Sequence, residues 1–464
     1  MALRADILPQ AERASFCVVE AVRCLGQQVG NGRKLMSYIR QGELFSYEDF
    51  VGEHDDNEQL VLTLAALPDE GLLGWLRQQR KGRRNEYPLE VLWRCVIAKY
   101  VYQIGTYAEL IRELWRNGSL RRLVGIGSSR AIPQDYHFSR LLKLLSEPEG
   151  LAQLGAMFEE LVRRLTEALP QMGRHLAVDA TAVHAYSNEM RKDKSDPDAA
   201  WSARPKQQRR RKRGGGVEEY LDYWFGYQVH LVTDCKTELP VGFEVTAANE
   251  NETRHFESLL EATRQAQPEL LSRTEAVMAD AGYDSTDNCR FVLKELKALP
   301  VIKMRLTQKK GEICQAAGEL CTELGTQLCL SGHEMAYAGR DGDYLKWRCP
   351  VVCKKADRCE MFGRCTASAY GAVRKVRIKE DPRRFPGLWR ESKKWKRLYK
   401  KRTAAERVNA RLKDFLLLDE LTIRSLPKVQ AHMGMALLVM LGGAWAMVAA
   451  DKVEQARRIV RLAA

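Results

Sequence analysis

The stretch His175-Leu-Ala-Val-Asp-Ala-Thr181 is a short apolar run that contains a single acid, Asp179. An apolar run of this length is typical of a strand that is buried on both faces. A lone carboxylate in such a strand costs free energy unless a cation or hydrogen bonds compensate it, so Asp179 is a candidate metal ligand. The alternative is that the strand ends earlier and that Asp179 caps a turn.

The segments after this strand alternate between strand and helix patterns. Residues 227–233 and 239–245 are alternating runs joined by a polar connection, which predicts an antiparallel hairpin. A helix is predicted from about residue 254 to 267, and a strand at 276–279 is followed directly by Asp280. A further helix and a strand at 299–303 complete the series. The predicted fold class is α/β, with a mixed sheet.

Four polar residues near the C-terminal end are spaced three, four and seven residues apart: Tyr399, Arg402, Glu406 and Lys413. On a single helix they would occupy an arc of about 60° that runs about 21 Å along the axis. The opposite side is apolar, so the helix would bury one face and present a carboxylate beside groups that bind phosphate. Taken alone, the pattern is more often a solvated face with an i,i+4 ion pair.

Asp179 and Asp280 at strand ends, together with Glu406 on a helix, have the composition of a phosphoryl-transfer site. Such sites use hard oxygen ligands to hold two Mg²⁺ ions roughly 4 Å apart.

The charge of the chain indicates a polyanionic partner. Its 464 residues carry a net charge of +14, and a hydrophobic content of 45% excludes a chain that is disordered overall. Residues 77–84 and 187–216 are the most basic segments, and the second contains Arg209, Arg210 and Arg211 in a predicted flexible loop. We expect the loop to clamp nucleic acid electrostatically; the alternative is an inert solvated excursion.

Two features of the sequence indicate where in the cell the protein is located. Residues 1–9 contain no apolar run of secretory length, so we expect a cytoplasmic, nucleoid-associated protein. Residues 433–450 are almost wholly apolar but contain Gly442 and Gly443, and polar residues flank them closely. We predict a buried helix packed on a sheet, and no membrane association.

Cysteines concentrate between Asp280 and the predicted helix that carries Glu406. Cys349, Cys353, Cys359 and Cys365 form short loops that a tetrahedral Zn²⁺ could close in a reducing compartment. Either Cys329 or His333 could replace one of these ligands. The alternative is a set of free or redox-labile thiols in a flexible insertion.

Four stretches in this order resemble the bacterial insertion-sequence transposases of the DDE class. They are residues 175–181, the hairpin with its continuation to residue 249, residues 279–284, and the helix with Tyr399, Arg402, Glu406 and Lys413. More narrowly, the helix is similar to that of the branch with a Y-(2)-R-(3)-E-(6)-K signature. The resemblance covers about residues 173–451.

The resemblance implies an RNase H-like catalytic core in which Asp179, Asp280 and Glu406 hold two Mg²⁺ or Mn²⁺ ions. It implies that Tyr399, Arg402 and Lys413 contact DNA around the cleaved end. The implied partners are double-stranded DNA, as transposon terminal repeats and as target, and a second copy of the chain in a synaptic dimer. The implied reaction is metal-dependent cleavage and strand transfer by in-line attack on a phosphodiester.

The predicted domain organisation has four parts. Residues 1–168 form a helical DNA-binding region, and 169–310 form the first part of the core with the basic loop. Residues 311–380 are the cysteine-rich insertion, and 381–464 complete the core with the signature helix. Two competing interpretations are a non-catalytic DNA-binding protein derived from a transposase and an unrelated two-metal nuclease.

Overall fold

The computed structural model describes residues 55–79, 87–188, 195–205, 210–211, 217–218, 221–306, 313–316 and 319–458. Of the predicted basic segments, Arg80, Lys81, Arg83, Arg84 and Arg209 lie outside these residues.

Seven α-helices precede the first strand in the described part of the chain, in agreement with the predicted helical N-terminal region. Pro68 separates the first two helices, a capping box at Thr106 begins the fourth, and Pro148 begins the seventh. Their bounds are α1 Asp55–Ala66, α2 Glu70–Gln78, α3 Leu89–Val101, α4 Tyr107–Arg116, α5 Gly118–Leu123, α6 Asp135–Leu145 and α7 Pro148–Ala168.

The main sheet is mixed and has six strands, in agreement with the predicted fold class. The long strand β5 pairs antiparallel with β1, β2 and β6, while β1, β7 and β8 are parallel. The bounds are β1 His175–His184, β2 Ala200–Pro205, β5 Leu221–Asp234, β6 Leu239–Ala247, β7 Ala276–Ala279 and β8 Leu299–Ile302. The short strands β3 Arg210–Arg211 and β4 Val217–Glu218 pair separately.

The connections within this sheet follow the predicted order. The hairpin β5–β6 is antiparallel, and α8 Glu252–Ala266 and α9 Pro268–Ser272 lead into β7. Helix α10 Thr286–Lys294 then leads into β8. Each helical crossover joins strands that run parallel to β1, as a mixed sheet of this kind requires.

Residues 313–378 form a separate set of strands. A hairpin, β9 Ile313–Ala316 and β10 Glu319–Thr322, precedes a three-stranded antiparallel sheet. That sheet contains β11 Ala336–Asp341, β12 Tyr344–Arg348 and β13 Val373–Arg377. It has a small core of its own, which includes Trp347 and Phe385.

The predicted buried helix is α13 Leu426–Ala449, which packs against α1, α3, α6, α7 and β6. It is long and apolar enough to cross a membrane, and 78% of its most apolar window is buried inside the protein. Gly442 and Gly443 let α1 approach closely. A Cβ added to Gly442 would lie 3.2 Å from the Leu67 side chain, and one added to Gly443 would lie 2.8 Å from the Gln59 side chain. The apolar stretch thus serves as a core helix here.

The signature residues do not lie on one uninterrupted α-helix, and that prediction was wrong. Helix α11 Lys393–Tyr399 ends in a 3₁₀ turn, Lys400–Arg402, and α12 Thr403–Phe415 follows. A 3₁₀ turn has three residues per turn, so it rotates Tyr399 relative to the arc calculated for a single α-helix. The backbone nevertheless stays in the right-handed helical region through the turn.

Candidate active site

The parallel pairing of β1 with β7 sets the two candidate aspartates side by side. Asp280 directly follows β7, as predicted, but the prediction that Asp179 lies at a strand end was wrong, because the pairing of β1 with β5 extends the strand to His184. Val178 pairs with Ala279, so Asp179 and Asp280 are the next residues on neighbouring strands. Side chains alternate along a strand, which places Asp179 on the same face as Ala177. Ala177 packs in the cluster that contains Trp395, Leu398 and Ala405, so this face is the one covered by α11 and α12.

Helix α12 therefore brings Glu406 to the face of the sheet that bears Asp179. Arg402 connects the two residues: its Nη1 lies 3.3 Å from Asp179 Oδ1, and its Nη2 pairs with a carboxylate oxygen of Glu406. The side chain of Asp179 is 14% exposed, whereas that of Glu406 is 50% exposed. The site is thus open to solvent on the Glu406 side.

Asn409 is a site residue that the sequence interpretation missed. It lies on α12 and is nearly buried, and its Nδ2 donates to Asp179 Oδ2 at 3.0 Å. Together, Arg402 and Asn409 occupy one oxygen each of the Asp179 carboxylate. Asn409 follows Glu406 by one helical turn, so the spacing argument that selected Glu406 could have included it.

Glu252 is a fourth carboxylate that the sequence interpretation missed. It is the first residue of α8, after the N-cap residue Asn251, and its Oε1 accepts from Gln228 Nε2 at 2.6 Å. Gly282 separates it from Asp280, and a Cβ on Gly282 would lie 2.4 Å from Glu252 Oε2 and 2.9 Å from Asp280 Oδ1. An acid in the first turn of a helix is common, so its sequence position gave only a weak signal.

Two of these acids have raised pKa values, mainly because they are buried. Burial raises the pKa of Asp179 to about 7; Asp280, Glu252 and Glu406 add to the effect, and Arg402 opposes it. Burial, followed by the charge of Asp280, raises the pKa of Glu252 to about 7 as well. Burial is the main cause in both groups, and the neighbouring carboxylates add to it, so a bound cation would favour the ionised forms.

A divalent cation suits this donor set, because carboxylate oxygens are the ligands preferred by Mg²⁺ and Mn²⁺. Within the described ranges, no group of three or more His, Cys, Asp or Glu side chains is already arranged to hold a metal ion. The guanidinium of Arg402 lies between Asp179 and Glu406 and supplies positive charge to both. The acids that would bind the metal are therefore present, but two of them pair with an arginine.

The other three signature residues, Tyr399, Arg402 and Lys413, contact neighbouring groups of the protein. The Tyr399 ring stacks on Trp395 with centroids 4.9 Å apart, and the Arg402 guanidinium lies 5.7 Å from the Tyr399 centroid. Lys413 donates from Nζ to the Ala182 carbonyl oxygen at 2.8 Å and pairs with Asp419 at 3.0 Å. Lys413 thus ties α12 to β1, and Trp395 is a core anchor.

The predicted basic loop is described only in part. Arg210 and Arg211 form strand β3, and Arg209 lies outside the described residues. A separate exposed set of cations precedes Glu406 on α11 and the 3₁₀ turn: Lys393, Lys394, Lys396, Arg397, Lys400 and Lys401. In contrast, Arg390 is buried and donates to the Ile302 carbonyl oxygen at 3.1 Å. Exposed cations are therefore concentrated on α11 and the 3₁₀ turn, which precede Glu406 in the chain.

The family models that match the chain are those of transposase domains. The family model of the transposase DDE domain matches residues 170–441, and that of a transposase domain of the DUF772 type matches residues 52–144. A cryo-EM structure of the piggyBac transposase synaptic complex with hairpin DNA has 10% sequence identity and a TM-score of 0.36; the match covers 88% of this chain and 77% of that one.

The DDE domain spans more than half of the chain, and it includes the mixed sheet and all three predicted acids. That domain implies an RNase H-like core, in agreement with the mixed sheet, whose strand order is β2-β5-β1-β7-β8 with β6 also paired with β5. The chain belongs to the DDE transposase family.

Proposed function

We propose that this chain is an active transposase that cuts DNA at the ends of an insertion sequence and joins those ends to target DNA. Asp179, Asp280 and Glu406 are the proposed ligands of two Mg²⁺ or Mn²⁺ ions. The observation that carries the proposal is the register of β1 with β7, which sets Asp179 beside Asp280, with α12 bringing Glu406 to the same face.

When bound at these acids, the two ions would lower the pKa of the attacking water and neutralise charge on the scissile phosphate. The protein groups have separate tasks. Asn409 fixes the orientation of the Asp179 carboxylate, and Gln228 does the same for Glu252. The raised pKa values of Asp179 and Glu252 support metal binding, since a cation relieves the repulsion among these acids.

DNA is the proposed partner of the exposed cations before Glu406. Six Lys and Arg side chains between residues 393 and 401 are exposed, and they would neutralise phosphates of the bound DNA. We assign the chain to the branch with the Y-(2)-R-(3)-E-(6)-K signature, and infer that Tyr399, Arg402 and Lys413 act at the cleaved DNA end. Arg209, Arg210 and Arg211 are proposed to add phosphate contacts.

Two further parts of the proposal follow from the reaction. Two transposon ends must be held together, so we propose a homodimer in the synaptic complex. We also propose that the protein acts in the cytoplasm, on the nucleoid. The competing function is that of a non-catalytic DNA-binding protein, which would keep the basic surface without cleavage.

The test is cleavage of a labelled duplex that carries the inverted repeats flanking the gene, with Mg²⁺ or Mn²⁺. We expect nicking at the repeat boundary by the native chain and its loss, by about a thousandfold or more, in Asp280→Asn and Glu406→Gln. Asp287→Asn is the matched control, because the Asp287 side chain is 77% exposed and pairs only with Arg290 among the described ion pairs. DNA affinity is measured in parallel by mobility shift.

The two functions give different results. Metal-dependent nicking that both variants lose, with DNA binding kept, supports the transposase. Tight binding to the repeats without cleavage by the native chain supports the non-catalytic protein instead.

A further inference from the structure

A cavity in the cysteine-rich segment is lined by four thiols from three separate turns. Its volume is about 160 Å³, and its walls include Cys329, Cys349, Cys359 and Cys365. None of these cysteines forms a disulfide. The cavity belongs to the segment around β11, β12 and β13, and none of the acids of the candidate active site lines it.

We propose that Cys329, Cys349, Cys359 and Cys365 form a tetrahedral thiolate site for a structural Zn²⁺ ion. Four sulfur ligands from one chain suit zinc, which is bound by thiolates at about 2.3 Å in closed four-coordinate sites. Such a site has no open position, so its role is to fix the segment rather than to carry out chemistry.

Tight turns place two of the four thiols, those of Cys329 and Cys359, at the cavity. Cys329 begins a turn in which the Gly332 N–H donates to the Cys329 carbonyl oxygen at 2.9 Å. Cys359 begins a second turn, in which the Phe362 N–H donates to the Cys359 carbonyl oxygen at 3.0 Å. Turns of this kind let side chains distant in sequence converge on one point.

The other two thiols are placed by the end of β12 and by the turn after Cys359. Cys349 comes directly after β12, and its N–H donates to the Ala372 carbonyl oxygen at 2.8 Å, just before β13 begins. The Cys365 N–H donates to the Met361 carbonyl oxygen at 3.1 Å. The three-stranded sheet thus anchors one side of the site, and the loop between β12 and β13 closes over the other.

In this ligand set Cys329 replaces Cys353, which is one of the alternatives that the sequence left open. Cys353 lies one helical turn after Cys349, with its N–H donating to the Cys349 carbonyl oxygen at 3.2 Å, and it does not line the cavity. Cys329 takes its place, from a turn that precedes the sheet. In the part of the chain that the structure describes, no three such side chains are yet close enough to hold an ion, so we expect the thiols to draw together on binding.

The surroundings fit a charged thiolate cluster with a structural role. Arg374 lines the same cavity and supplies positive charge near the sulfurs. Ser331 Oγ lies 3.3 Å from Cys359 Sγ, within reach of a hydrogen bond to the thiolate. The small core beneath the sheet is the kind that metal ligation commonly supplements.

The test measures the zinc content of the full chain, purified under reducing conditions, by elemental mass spectrometry. We expect about one zinc ion per chain in the native protein, and about a tenfold or greater loss in Cys329→Ser and Cys359→Ser. Cys353→Ser is the matched control, and we expect it to retain zinc. Asp280→Asn should also retain it, which separates this site from the acids of the proposed active site.

A second measurement uses only the native chain, so its result does not depend on whether the variants fold. Titration of the native chain with a mercurial reagent should release the zinc as the thiols of this cluster react. Absence of zinc from the native chain, or its loss in Cys353→Ser with retention in Cys329→Ser, would overturn the assignment. So would a thiol count showing that Cys329, Cys349, Cys359 and Cys365 are oxidised to disulfides in the chain as purified.

Discussion

Arg402, in the 3₁₀ turn before α12, forms an ion pair with Asp179 in β1, with Nη1 and Oδ1 3.3 Å apart. The same guanidinium pairs with Glu406, so one arginine neutralises two of the three acids proposed to bind metal. A metal ion that binds these acids must compete with this cation. Arg402 thus lowers the affinity of these acids for a metal ion in the absence of DNA.

Replacement of Arg402 should therefore strengthen metal binding while it weakens cleavage. In Arg402→Gln we expect Mn²⁺ to bind about tenfold more tightly without DNA, since a charge-assisted hydrogen bond contributes roughly 1.5–3 kcal/mol. Titration calorimetry measures the affinity. Arg397→Gln is the control, because Arg397 is an exposed cation on α11. Unchanged or weaker Mn²⁺ binding by Arg402→Gln would contradict the competition.

The stability of the metal-free protein should depend on pH through Asp179 and Glu252. Both groups have a pKa of about 7 in the folded protein, against ordinary values of 3.8 and 4.5. The folded state therefore keeps protons that the unfolded chain has already released. The stabilisation is complete below the ordinary values and is lost as the pH rises through about 7.

In EDTA, we expect the Tm to fall as the buffer is changed from about pH 5.5 to about pH 8. Added Mg²⁺ should raise the Tm most at the higher pH, because the ionised acids then have a partner. Glu252→Gln should reduce the slope of Tm against pH in EDTA. Differential scanning calorimetry measures these Tm values. If the slope of Tm against pH is the same in Glu252→Gln as in the native chain, Glu252 is excluded as a source of the pH dependence.

Local sequence patterns predicted most elements of the fold, because the apolar periodicity of each strand and helix is independent of the rest of the chain. The strand Ala276–Ala279 and the acid after it are examples. The break at Lys400–Arg402 was not predicted, since a run of basic residues carries no signal for a 3₁₀ turn. The domain boundaries stay a prediction, although one continuous core joins the N-terminal helices, the sheet and α13.

The site was predictable only where the order of elements constrained it. Asp179 and Asp280 follow from adjacent parallel strands, whereas Glu252 reaches Asp280 through a long-range arrangement of α8 that sequence spacing does not encode. In the same way, spacing favours Cys353 as a thiol ligand, but the turn at Cys329 is brought to the cavity by tertiary structure. Contacts between distant segments account for both differences.

Asn409 should control the orientation of Asp179 without affecting DNA affinity. Its amide donates to Asp179 Oδ2 at 3.0 Å, and partners of metal-binding carboxylates typically contribute about 10- to 100-fold to metal affinity or activity. We expect Asn409→Ala to lower the cleavage rate by a factor in about this range. The control is Asp414→Ala, an exposed position on the same helix. Equal losses in both variants would indicate a general effect on α12.

The glycine between Glu252 and Asp280 gives the sharpest steric test of the site. A Cβ on Gly282 would lie 2.4 Å from Glu252 Oε2 and 2.9 Å from Asp280 Oδ1, so Gly282→Ala must displace at least one carboxylate. We expect about a tenfold or greater loss of Mn²⁺ affinity and of cleavage.

Gly155→Ala is the matched control for Gly282→Ala. Gly155 lies within α7, where an added Cβ meets nothing within 4 Å. Because alanine favours a helix over glycine, this change should raise the free energy of unfolding by about 0.5–1 kcal/mol and leave cleavage unchanged. Thermal unfolding and Mn²⁺ titration of both variants separate the two effects. Native Mn²⁺ affinity in a folded Gly282→Ala protein would show that neither neighbouring carboxylate must hold its position for metal binding.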